Sequence, residues 1–165
     1  MSTATSTDKF REVRQDVDRL NAESPTAAQF MDGLTRLLQE KMLKYNWVGF
    51  YMLEPGAQPP MLALGHFQGA MTPHTRIQLN QGICGAAASS GKTIVVEDVR
   101  NDARYLACSI ETRSEIVVPV FVHGQVAGEL DIDSHFLSAF TVGDRELVEY
   151  CAHLVGQRLE QEVSS

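Results

Sequence analysis

SEIVVPVFVHGQVAGELDIDS, residues 114–134, decides the fold. Two strand-like segments, Glu115 to Val122 with the apolar run Ile116-Val117-Val118, and Val126 to Ile132, lie close together. His123-Gly124 between them suits a tight turn, so the segment reads as a β-hairpin. Asp131 and Asp133 stand two apart on the second strand, so their side chains share one face. Leu130 and Ile132 point to the other face, toward a core. Two carboxylates on one face repel each other, which raises and couples their proton affinities. An ammonium ligand would relieve that repulsion, and a retained proton would supply a general acid. A solvated strand end before Ser134 explains the same spacing. Glu115 opens the first strand and, taken alone, reads as a strand-start charge.

Working outward, Thr141 can cap a last helix, with Asp144 three residues later at its positive end. Leu147, Val148, Cys151, Leu154, Val155 and Leu159 form its apolar stripe. Upstream of the hairpin, Arg100 to Arg113 is polar and without period, a long loop carrying Cys108. Thr93 to Val96 reads as a short strand. Gly82 and Gly85 bracket Cys84, and Ala86-Ala87-Ala88 follows, which predicts a tight turn into a short helix. Arg76 to Leu79, Met61 to Phe67 and Tyr45 to Leu53 read as strands, with Pro55-Gly56 and Pro59-Pro60 bounding a loop. Phe10, Val13, Val17 and Leu20 predict an amphipathic helix. Ser24-Pro25 reads as an N-cap with proline in the first turn of a second helix running to about Lys44. Residues 1–8 are small and polar and read as a disordered tail, leaving residues 9–162 as one domain. The fold class is α+β, one antiparallel sheet covered by helices.

The chain has 165 residues, 44% hydrophobic and 21% charged, enough for one domain with a true core. A net charge of −7 argues against a nucleic-acid partner. No apolar run reaches membrane-span length, and the N-terminus lacks a signal-peptide stretch, so the cytoplasm is the expected compartment. Three cysteines in a reducing compartment suggest a transient, catalytic disulfide rather than a structural one. The five histidines show no paired ligand spacing, and Gly91-Lys92-Thr93 lacks the glycines of a phosphate loop; no metal and no cofactor is expected.

Thiols and clustered acids together suggest a small-molecule redox site. Cys84 precedes a helix N-terminus, where backbone N–H groups stabilise a thiolate. Cys108 lies in a loop near Arg104 and Arg113. Either thiol suits a nucleophile, and the residues alone do not separate the roles. Cys151 lies on an apolar stripe and reads as core. Trp47 and Tyr51 are four apart on a strand and share a face with Gly49, which leaves room for a ligand or another backbone. Core packing is the commoner role of such aromatics.

One set of motifs runs from about residue 40 to 160. It comprises Asn46-Trp47-Val48-Gly49-Phe50-Tyr51, His66-Phe67-Gln68-Gly69, Gly82-Ile83-Cys84-Gly85, Glu97-Asp98-Val99, Cys108, Ser114-Glu115-Ile116-Val117-Val118-Pro119 and Gly128-Glu129-Leu130-Asp131-Ile132-Asp133-Ser134. In this order and spacing it resembles the GAF-type free methionine-(R)-sulfoxide reductases. The resemblance implies a sheet of about six antiparallel strands with N-terminal and C-terminal helices packed on it. It implies reduction of free methionine-(R)-sulfoxide, with electrons from thioredoxin or a similar dithiol, and it suggests a homodimer. Trp47 and Tyr51 would line the site, with Glu115, Asp131 and Asp133 as its acids. Cys108 would attack, Cys84 would resolve, and Glu115 or Asp133 would protonate the oxygen.

There is one departure. Relatives commonly carry a third, resolving cysteine near the position held here by His74, in Met71-Thr72-Pro73-His74-Thr75-Arg76-Ile77. Three options stay open: Cys84 resolves Cys108, the two exchange roles, or the chain binds without turnover. The last would make it a GAF-type binding or redox-sensing module.

Overall fold

A computed structural model describes residues 2–107 and 109–164, with side chains from residue 7 to 162. Cys108 lies outside the described residues. Two helices come first, α1 (Ser2–Glu23) and α2 (Ala27–Lys41). Strands β1 (Trp47–Leu53), β2 (Met61–Gln68) and β3 (Arg76–Gln78) follow, then helix α3 (Gly82–Ser90) and strand β4 (Ile94–Val96). A 3-10 turn (Val99–Asn101) leads through a loop to β5 (Ser114–Val122), β6 (Gln125–Ser134) and helix α4 (Val142–Ser164). The six strands form one antiparallel sheet in the order β3-β2-β1-β6-β5-β4.

The hairpin forms as its sequence predicts, with β6 beside β1 at the sheet's centre. His123 and Gly124 take positive φ, 52° and 75°, the backbone that a primed two-residue turn requires. Alternation then sorts side chains onto two faces. Val48, Phe50, Ile116, Val118, Val120, Leu130 and Ile132 face the layer of α1, α2 and α4 and pack with Val13, Val17, Leu34, Leu147 and Val155. Each such fully buried side chain contributes about 1.5–3 kcal/mol. The opposite face is smaller. Trp47, Tyr51, Leu62 and Val117 pack there with Ile83, Cys84, Ala87 and Ala88 of α3. The central strands are therefore buried on both sides, and whatever polar group points toward α3 is buried too.

Three boundaries differ from the expectation. Residues 2–8, expected as a disordered tail, are the start of α1. The cap of α2 is Thr26, not Ser24: Thr26 Oγ1 accepts from Gln29 N, and Gln29 Oε1 accepts from Thr26 N. Ser24 instead donates its hydroxyl to Leu20 O and closes α1. The α2 helix also ends at Lys41, three residues early. Thr141 does cap α4. Its Oγ1 accepts from Asp144 N at 3.3 Å, while Asp144 accepts from Thr141 N at 2.9 Å and from the buried Tyr45 hydroxyl at 2.6 Å.

Candidate active site

The register of the central strands builds an acidic cluster from residues far apart in sequence. Glu115 on β5 and Trp47 on β1 both pair with Asp133 on β6. In the next row of that face, Val117 and Gly49 pair with Asp131. In the third row Pro119 and Tyr51 pair with Glu129. The four acids are buried, with Glu115 and Asp133 4% exposed, Asp131 2% and Glu129 0%. Solvated strand-end acids, the alternative for Asp131 and Asp133, are thereby excluded.

Above the acids lies the first turn of α3. Two glycines let it descend. Gly82 takes a φ of +68°, and a Cβ on Gly85 would stand 2.8 Å from Gln78 O. This close approach brings Cys84 down onto the sheet. Its Sγ donates to Asp131 Oδ2 at 3.4 Å, and Glu129 acts on the same thiol. Ligand atoms of Cys84, Glu115 and Asp131 all lie within 4.8 Å of one another, a spacing that also fits a small cation.

The electrostatics follow from burial and repulsion. Burial, then Asp131 and Asp133, hold the Glu115 proton affinity well above the ordinary carboxyl range. Burial and Asp131 do the same for Asp133 and Glu129. Asp131 is raised by burial, against hydrogen bonds with Glu115 and Cys84 that lower it. The Cys84 thiol is pushed well up by burial, then by Asp131, Glu129 and Glu115. The helix N-terminus expected to stabilise a Cys84 thiolate is outweighed by desolvation and three carboxyls. Cys84 rests as a thiol. Cys151 lies across the sheet in the helical core, fully buried and pushed up to about 12.

Trp47 and Tyr51 do share the α3 face. Their ring centroids are 6.2 Å apart, and Phe67 flanks Trp47 at 5.6 Å. The room at Gly49 is taken by Trp47 itself: a Cβ there would stand 2.4 Å from its ring. The indole N–H donates to Ala70 O at 3.0 Å, and the Tyr51 hydroxyl donates to His74 O at 2.7 Å. The aromatics are thus fixed by backbone carbonyls at one side of the acids.

The loop before Cys108 folds back over this region. Leu106 packs on Gly82, and His74 Nε2 lies 3.2 Å from Ala107 O, where it can act only as donor. The structure therefore brings Cys84, Glu115, Asp131, Asp133, Trp47 and Tyr51 into one region, while Cys108 lies outside the described residues. Glu129 is the acid that the sequence reading left out, although the alternation 129, 131, 133 already puts it on the same face. Two surface cavities, of about 390 and 530 Å³, lie elsewhere and include none of these acids.

A six-stranded antiparallel sheet with helices on one face and a short helix over a central site on the other defines the class. The GAF domain family matches residues 27–159. Within that fold the similarity is specific. Free methionine-R-sulfoxide reductase of Escherichia coli (strain K12) is 34% identical over 140 residues, 85% of this chain and 82% of the relative. The structure of free methionine-R-sulfoxide reductase from Neisseria meningitidis in complex with its substrate superposes with a TM-score of 0.85 at 33% identity, covering 93% of this chain and 91% of that one. The type II free methionine-R-sulfoxide reductase from Thermoplasma acidophilum gives 0.76 at 38% identity, over 82% and 93%. The chain belongs to the GAF-domain free methionine-R-sulfoxide reductase family.

Proposed function

We propose that this chain reduces free methionine-R-sulfoxide with two cysteines, Cys108 attacking and Cys84 resolving. The observation that supports this most is the buried acid cluster facing a thiol beside fixed aromatics. Among the described residues only acids and Cys84 act on these carboxyls, and the ammonium of a free amino acid would supply a positive charge at Asp131, Asp133 and Glu115. A methionine inside a peptide has no such ammonium, so the cluster gives a physical reason for preferring the free amino acid. Trp47 takes the methyl-sulfoxide end by apolar and sulfur–aromatic contact, with Tyr51 alongside.

The chemistry needs a thiolate and an acid. The Cys108 thiolate attacks the sulfoxide sulfur. Glu115 or Asp133, whose protons burial retains, protonates the departing oxygen. Oxygen passes to Cys108 as sulfenic acid, and methionine leaves reduced by two electrons. Cys84 then condenses with the sulfenic acid to give a disulfide and water. A thioredoxin-like dithiol reduces that disulfide in a reducing compartment such as the cytoplasm. The loop of residues 102–107, whose Leu106 rests on Gly82, moves aside for substrate access.

The test is turnover of separated R and S epimers of free L-methionine sulfoxide with thioredoxin, its reductase and NADPH. R-selective turnover is expected, abolished in Cys108→Ser and limited to one equivalent of methionine in Cys84→Ser. Multiple turnovers by Cys84→Ser would remove Cys84 from the resolving role. Saturable binding without turnover would make the chain a GAF-type binding module.

A further inference from the structure

The fold assembles a ligand set that no spacing along the chain reveals. Cys84 comes from α3, Glu115 from β5 and Asp131 from β6, one residue from each element. All three are buried, and their ligand atoms lie within 4.8 Å of one another. Ligands on one tetrahedral Zn²⁺ stand about 3.6 Å apart, given Zn–S of about 2.3 Å and Zn–O of about 2.1 Å. Cys84 Sγ and Asp131 Oδ2 already stand 3.4 Å apart. Small side-chain rotations therefore bring all three onto one ion.

A second observation calls for a cation at this place. Four buried carboxyl oxygens on this face have no hydrogen-bond partner: both of Glu129, Oδ1 of Asp131 and Oδ1 of Asp133. Glu129 is 0% exposed, Asp131 2% and Asp133 4%. Buried carboxyl oxygens in that state are costly. An ammonium has three N–H bonds, too few for four such oxygens. A divalent ion acts on all of them through its charge, and it also uses the thiol, which an ammonium does not.

We propose that Cys84, Glu115 and Asp131 form a binding site for a divalent ion of the Zn²⁺ class, with water in the fourth position. Mg²⁺ and Ca²⁺ take octahedral or larger all-oxygen sites, so a thiolate among three ligands selects against them. One sulfur and two oxygens suit a borderline ion that accepts four ligands, as Zn²⁺ does. On binding, the metal–sulfur bond forms, the Cys84 S–H bond breaks and its proton passes to solvent. No oxidation state changes. The ion fills the acids that would take the substrate ammonium and occupies the Cys84 sulfur. It is therefore an inhibitor: the loaded chain takes no sulfoxide and forms no disulfide. That consequence rests on the reductase reading, whereas the ion site does not.

The test uses the full chain, stripped with EDTA and kept reduced, and titrates Co²⁺ as a coloured stand-in for Zn²⁺. A sulfur-to-cobalt charge-transfer band is expected in the near ultraviolet, and equimolar Zn²⁺ should bleach it. Cys84→Ser should abolish the band. Glu115→Gln and Asp131→Asn should weaken Co²⁺ binding about 100-fold or more, since losing even an outer partner of a ligand costs roughly 10–100-fold. Cys108→Ser should keep the band. Melting curves identify any variant that fails to fold, and Glu115→Gln, which removes a buried like charge, keeps the test decisive if another does. No band in the wild type, a band that survives Cys84→Ser, or one lost in Cys108→Ser overturns the ion site. Competition is read in Cys108→Ser, where no chemistry follows binding. The R epimer of free methionine sulfoxide should raise the apparent Co²⁺ dissociation constant more than the S epimer, which chelates free cobalt equally well. A band that depends on Cys84 but is indifferent to both epimers supports the ion site and overturns the placement of the substrate ammonium.

Discussion

Glu115 and Asp133 lie directly opposite each other across β5 and β6, both turned from water toward α3. Like charges at that spacing destabilise a sheet, and burial adds to the cost. In the folded chain both acids, with Asp131 and Glu129, hold protons to higher pH than in the unfolded chain. The folded state therefore binds more protons once pH exceeds the unfolded carboxyl values of about 3.9–4.3. The sign is the reverse of a salt-bridged acid. This contribution to stability is fully present below about pH 4 and is lost as pH rises toward the folded values.

Melting temperature should therefore fall as pH is raised from 5 to 8, and Glu115→Gln should blunt that fall. Relief of a single pKa unit is worth about 1.4 kcal/mol, roughly 3–6 °C for a chain of this size. The gain should appear at pH 8 and shrink toward pH 5, while affinity for methionine is lost. A Glu115→Gln protein no more stable than wild type at pH 8 would show that Glu115 carries no strained charge.

Gly49→Ala tests the seat of Trp47. The added Cβ would stand 2.4 Å from the indole and 2.9 Å from the Phe67 Cβ. The indole must tilt off the sheet, breaking its bond to Ala70 O. Overpacking of this kind costs about 1–3 kcal/mol. We expect a lower melting temperature and a raised KM for the sulfoxide, since the ring would no longer stand beside the acids. An unchanged KM would exclude Trp47 from the substrate site.

How far the sequence carried the reading depends on the range of the forces involved. The hairpin of residues 114–134 was legible because alternation and a two-residue turn are local. So was the sharing of one face by Asp131 and Asp133. Their burial was not legible, because it depends on α3 descending onto the face through Gly82 and Gly85. The same contact reversed the expectation for Cys84: a helix N-terminus is visible in sequence, whereas three carboxyls gathered from β5 and β6 are not. Gly49 does make room, but for the Trp47 ring of its own strand rather than for a ligand or another backbone. Glu129 stands between Gly128 and Leu130 in a run that looks apolar, and the alternation 129, 131, 133 is the signal that places it with the other acids.

His74 offers a positive test of the two-thiol scheme. By the family resemblance it occupies the place where a further, resolving cysteine is expected. Its ring reaches Ala107 O, one residue before Cys108 in the chain, and its own carbonyl accepts from Tyr51. A thiol at position 74 would therefore start from a backbone already held beside the site. If turnover needs only a second thiol within reach of an oxidised Cys108, His74→Cys in a Cys84→Ser background should restore multiple turnovers with thioredoxin, where Cys84→Ser alone stops after one. The thiol at 74 would also escape the carboxyls that hold the Cys84 proton, so its alkylation at neutral pH should outpace that of Cys84 in the parent chain. A double variant that still stops at one equivalent would show that Cys84 contributes more than a reachable sulfur, and that its acid-lined setting is part of the chemistry.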